Sequence, residues 1–196
     1  MHTKKSSAST RKSDRQADIT KPIVPDHSGI ISNTKKIILT AILTAFALVA
    51  FVIEGAIPPL TPIYGVKLGL ANVFTLFALY ALGTRYAAAV MSLRIVLGSI
   101  FTGQLVSFIY SISGGLLSFL LMILLKRFFP LKQLWVLSVL SAVTHNIGQL
   151  AAAIFMTQTL AIAYYLPVLI LSGIIAGAFT GLCAQLVLIR LSKIKI

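Results

Sequence analysis

The sequence predicts an all-α integral membrane protein with six transmembrane helices, and three observations carry that prediction. The first is composition. Hydrophobic residues make up 58% of 196 residues, charged residues 11%, and the mean hydropathy is +0.96. Soluble domains are roughly 45–50% apolar and about 25% charged, so a soluble enzyme is excluded. The second is the length of the apolar runs, each near the ~20 residues a membrane helix needs. They lack the apolar–polar alternation of outer-membrane barrel strands. The third is charge placement: lysines and arginines flank the apolar runs.

Residues 1–34 contain six Lys/Arg and three Asp and almost no large apolar side chains. Such a segment cannot bury enough surface to fold, and a disordered basic cytoplasmic tail is expected. No apolar run resembling a signal peptide precedes position 37. The membrane domain then occupies 35–196, with spans expected at 37–57, 66–84, 86–103, 105–125, 134–156 and 166–189. The second has the shortest strictly apolar stretch.

Six crossings place Lys35, Lys36, Arg85, Lys126, Arg127, Lys132, Arg190, Lys193 and Lys195 on one side and Lys67 on the other. By the positive-inside rule both termini are then cytoplasmic, in a multi-pass protein of the cell membrane. The same rule accounts for the net charge of +13 without nucleic acid as a partner. No internal repeat suggests an inverted-repeat transporter. The first outer loop, PPLTPIYG at 58–65, holds three prolines. It cannot be helical throughout and suits a stiff cap over an outward-facing cavity.

Small residues mark close helix approaches. The first span carries Ala41 and Ala45, and the last carries Gly173, Gly177 and Gly181. Their spacing fits either internal packing or a partner interface.

Ionisable groups inside a membrane span are costly and are functional candidates by default. Glu54, Arg94 and His145 are the three here. Arg94 lies nine residues beyond Arg85, about 13 Å along a helix, which puts it near the midplane. It must face the bundle, water or a counter-charge. Either Glu54 and Arg94 form a structural ion pair of little net value, or Arg94 holds an anionic ligand and Glu54 a polar or cationic group of it. The fifth span adds Ser138, Ser141, His145, Asn146 and Gln149. Steps of three and four put all but Asn146 on one face, as a cavity wall would require. The fourth span has Ser107, Ser111, Gly114, Gly115 and Ser118. Lys67 and Asn72 open the second span, and Thr102 and Gln104 close the third. The polar groups therefore converge on the outer half beneath the cap. Their basic balance favours an anionic solute and argues against a channel, which needs a full polar path.

Several chemistries lack their residues. There is no GxxxxGK[ST] phosphate loop. No Asp follows Asp26, so the aspartate clusters that hold magnesium–diphosphate are missing. One carboxylate in the membrane domain cannot assemble a nucleophile–base–acid set. The single Cys183 and isolated histidines give no disulfide and no metal spacing. Neither catalysis, metal nor cofactor is expected.

The runs GVKLGLANV (65–73), RIVLGS (94–99), SGGLLS (113–118), THNIGQL (144–150) and YYLP (164–167) resemble the Gx transporter family. That family is also named heptaprenyl diphosphate synthase component I. It is similar in turn to the substrate-binding S components of energy-coupling factor transporters. The resemblance covers about residues 36–190 and implies an S-component-like bundle that binds a vitamin, flavin or isoprenoid- or quinone-related solute near the outer face. It implies a membrane T component and two cytoplasmic ATPases as partners. Ala41 and Ala45 match the AxxxA that packs on the T component. Lys67, Asn72, Arg94, His145, Asn146 and Gln149 match the family's polar motif positions.

The expected function is a non-enzymatic solute-capturing subunit of such a transporter, with Glu54 and Gln104 added to the binding residues. The alternative is a non-catalytic accessory subunit of isoprenoid or quinone synthesis, or of a membrane electron-transfer complex. On that alternative the polar stripes are interhelical packing.

Overall fold

The computed structural model describes residues 33–56, 69–103 and 105–193. The tail, the proline-rich cap, Lys67 and Gln104 lie outside the described residues. The membrane unit begins at Asn33, slightly before the expected end of the tail. Its helices are α1 (Asn33–Ala56), α2 (Asn72–Ala81), α3 (Thr84–Thr102), α4 (Leu105–Leu125), α5 (Leu134–Thr157) and α6 (Leu166–Lys193). Short 3-10 turns, Leu131–Gln133 and Leu160–Tyr165, lead into α5 and α6.

Five of these helices are long and apolar enough to cross a bilayer. This is a multi-pass membrane protein. The second expected span is the correction. Within 66–84, helix α2 has only 10 residues, about 15 Å of rise against about 30 Å of hydrocarbon. Gly69–Ala71 form a turn instead, and Gly69 has φ +80°. At its far end Leu82 and Gly83 both donate N–H bonds to Ala78 O, at 2.8 and 3.0 Å. Gly83, at φ 101° and ψ 174°, takes a conformation open to glycine and leads into α3.

The C-terminal ends of α2 and α4 are clamped together. Lys126 Nζ donates to Leu79 O at 2.7 Å and sits 5.5 Å from the Tyr80 ring centroid. Tyr80 donates its hydroxyl to Phe129 O at 2.8 Å. A cation at the C-terminal carbonyls of α2 suits the helix dipole, although partial burial lowers the Lys126 pKa.

The outside is apolar, and the inside combines a hydrophobic core (Leu76, Leu79, Met122, Leu134 and Leu137) with buried polar side chains. On α1, Ile38, Ile42, Phe46, Val49 and Ile53 are exposed, whereas Thr44, Ala47, Phe51 and Glu54 are buried. Lipid gives apolar faces little reason to leave it, so close packing must hold the helices together. The glycines provide it. A Cβ on Gly177 would lie 2.8 Å from Val139 Cα, and one on Gly181 would lie 2.7 Å from Trp135 Cα. The Gly173–Gly177–Gly181 stripe is thus spent on α5 and is internal packing. Gly148 and Gly114 make the corresponding contact between α5 and α4: a Cβ on Gly148 would sit 2.9 Å from Gly114 Cα. Beside it Ser113 Oγ donates to Gly148 O at 2.8 Å.

Candidate ligand-binding site

The short α2 puts its N-terminus inside the bundle, level with the middle of α3. Ten residues down α2 and ten up α3 bring Asn72 opposite Arg94. Arg94 Nη2 donates to Asn72 Oδ1 at 3.1 Å. Both side chains are buried, Arg94 at 2% exposure and Asn72 at 6%. The turn before α2 completes the link to α1: the Gly69 N–H donates to Glu54 Oε1, and Glu54 is 5% exposed. The Glu54 and Arg94 charges are close enough to act on each other. Turn Gly69–Asn72 thus joins the acid to the base.

Helix α5 closes the cluster from the other side. A Cβ on Gly69 would meet His145 Cδ2 at 2.8 Å and Asn72 Nδ2 at 3.2 Å. The imidazole and the amide therefore stand against the glycine where any side chain would collide. Gln149 Nε2 donates to His145 Nε2 at 2.9 Å, which leaves the ring proton on Nδ1. That nitrogen faces Gly114, where an added Cβ would lie 2.9 Å from it. Gly115 presents its bare backbone to α3, 3.9 Å from Arg94 Nη2 if a Cβ is built on it. The glycine pair of α4 serves two neighbouring helices, Gly114 facing α5 and Gly115 facing α3.

Of the residues expected from sequence, Glu54, Asn72, Arg94, His145 and Gln149 thus come together in one buried polar cluster. Asn146 does not join it. It points a third of a turn away, and its Nδ2 donates to Leu169 O on α6 at 2.7 Å. Ala41 and Ala45 lie on the exposed face of α1. The cluster also holds residues not singled out beforehand. Gly69 contributes a backbone N–H and close approach. Thr75, one turn below Asn72, is buried. A glycine three residues before a polar helix start was the available signal for the first; nothing marked Thr75.

Donors exceed their partners here. Asn72 Nδ2, Arg94 Nε and Thr75 Oγ1 are buried with no hydrogen-bond partner among the described residues. Buried polar atoms normally have partners, and leaving one unmade costs about 1–3 kcal/mol. Three at one place, beside an arginine and a helix N-terminus, form a site able to accept an oxygen-rich group. No group of three His, Cys, Asp or Glu able to hold a metal occurs among the described residues.

A family model described as heptaprenyl diphosphate synthase component I matches residues 43–187, most of the chain and every clustered residue. The chain belongs to the heptaprenyl diphosphate synthase component I family. No curated protein and no solved structure gave a match. Within this component I chain the matched stretch runs from the middle of α1 almost to the end of α6, so the cluster is built wholly from family sequence.

Proposed function

We propose that this component I family member is the solute-capturing membrane subunit of an energy-coupling-factor-like transporter, with both termini in the cytoplasm of a cell-membrane location. It binds a small anionic solute from outside and carries out no covalent chemistry itself. One observation supports this most: Arg94 is buried at mid-bundle with spare donors around it. A scaffold needs no such group, since a charged side chain there costs at least ~2.5 kcal/mol on insertion scales. Carboxylate-bearing vitamins, phosphorylated flavins and isoprenoid diphosphates carry suitable anionic groups.

Energy comes from partners on this reading: a membrane T component and cytoplasmic ATPases. The exposed strip of α1 around Ala41 and Ala45 suits docking of a partner helix, because small side chains allow close approach. The basic end of the bundle faces the cytoplasm by the positive-inside rule. The test is purification from native membranes without crosslinking. Co-purification of an ATPase-bearing membrane module, lost in Ala41→Trp/Ala45→Trp, supports the reading. Co-purification of a prenyl-transferring or electron-transfer enzyme in its place would overturn it in favour of an accessory role.

A further inference from the structure

The turn before α2 lies buried in the bundle, and what it holds is a carboxylate of the protein itself. Four facts bear on this. Glu54 Oε1 accepts the Gly69 N–H in the turn that precedes α2. No side chain caps the helix: Ala71 is the N-cap residue and makes no side-chain bond. Asn72 Nδ2 stands over that same turn, 3.2 Å from the position of a Gly69 Cβ, and has no partner among the described residues. Arg94 reaches the same amide through Nη2 and leaves Nε unpartnered. The N–H groups of Asn72, Val73 and Phe74 are taken by Gly69 O, Leu70 O and Ala71 O, so the turn itself offers an anion the Gly69 N–H, together with the positive end of the helix dipole.

We infer that the Gly69 N–H, Asn72 Nδ2 and Arg94 form an oxyanion subsite beside which Glu54 holds the Gly69 N–H, and that the carboxylate or phosphate of a solute takes the place of Glu54. The inference rests on the capture reading for its biological meaning, but the subsite itself does not depend on transport. Its logic is charge balance. Arg94 and Glu54 are the buried cation and the buried acid of the described bundle. An unpaired charge in this medium is expensive, so the protein supplies its own counter-ion. A solute oxyanion is the same chemical group and satisfies the same donors. Glu54 is then a displaceable occupant, opposite in role to a residue that binds the solute's cationic part.

The two roles give opposite results for one substitution. Glu54→Gln keeps the shape of the side chain and removes the competing charge. The probes are sodium phosphate and sodium acetate, each against sodium chloride at matched ionic strength, with thermal unfolding of the detergent-solubilised full chain as readout. The expected result is a rise in Tm of about 3 °C or more for Glu54→Gln with either oxyanion, larger than for the wild type. Asn72→Asp, which puts a second carboxylate in the subsite, abolishes the response. If Glu54→Gln folds only when an oxyanion is present during purification, rescue of folded yield is the same result. Equal responses of Glu54→Gln and wild type, or failure of Glu54→Gln to fold in any of the three salts, would overturn the inference. Response to phosphate only when phospholipid is fully retained would assign the subsite to lipid headgroups and overturn the solute assignment. A chain that shows the oxyanion response yet binds no partner module would refute the transport reading and leave the subsite standing.

Discussion

Two adjacent glycines in α4 test whether the helix packing described here builds the site. Gly114→Ala adds a methyl whose carbon would lie 2.7 Å from the backbone His145 O, 2.9 Å from His145 Nδ1 and 2.9 Å from Gln149 Cγ. Backbone cannot step aside cheaply, so α4 and α5 must separate or His145 and Gln149 must turn. Gly115→Ala meets Ile95 Cδ1 at 2.9 Å, the free end of a flexible side chain, and Met91 Sδ at 3.8 Å. Both substitutions gain the same helix propensity, about 1 kcal/mol. Overpacking costs about 1–3 kcal/mol and falls almost wholly on Gly114→Ala. The difference between the variants is therefore about 1–3 kcal/mol, or about 2–12 °C in Tm for a chain of this length. Trp135, the single tryptophan, reports unfolding in detergent by its fluorescence. Equal melting temperatures, or a less stable Gly115→Ala, would refute the close approach of Gly114 to His145.

Other consequences are simpler to read. Asn146→Ala should lower stability by about 0.6–1.7 kcal/mol, the range of interhelical hydrogen bonds in membrane proteins, and leave solute retention unchanged; a lost solute would return Asn146 to the site. Tyr80→Phe removes the hydroxyl bond to Phe129 O and should cost about 1 kcal/mol in a detergent melt. Ala41→Trp/Ala45→Trp lies on an exposed face, so the melting curve should stay within about 0.5 kcal/mol of wild type while any T component is lost on purification. A large loss of stability would show that this face packs internally.

Much of the bundle was legible because polar groups are conspicuous in an apolar chain. Helix α4 begins and ends where its apolar run does, at Leu105 and Leu125. Arg94 and His145 declared themselves by their cost, and Gln149 by its step of four from His145. The short α2 was hidden. Leu70 and Ala71 are as apolar as a membrane helix, and the φ of +80° at Gly69 that turns the chain there leaves no mark on hydropathy. Hydropathy measures transfer to lipid and is blind to backbone direction. The glycine roles were equally hidden. Gly115 and Gly114 read alike in sequence, and their different neighbours exist only once α3 and α5 are in place. Asn146 was expected in the site, and a helical wheel puts it about 100° from His145, the direction in which it bonds Leu169 O of α6.

The central claim is that the Arg94 cluster captures an anionic solute. Native mass spectrometry of the full chain, released from mild detergent, tests it most directly when run beside Arg94→Leu and Arg94→Lys. The account predicts a stoichiometric small anionic molecule on the wild type, absent from Arg94→Leu and weakened in Arg94→Lys, with all three proteins folded. Arg94→Leu that melts at or above the wild-type temperature and retains the same molecule would contradict it.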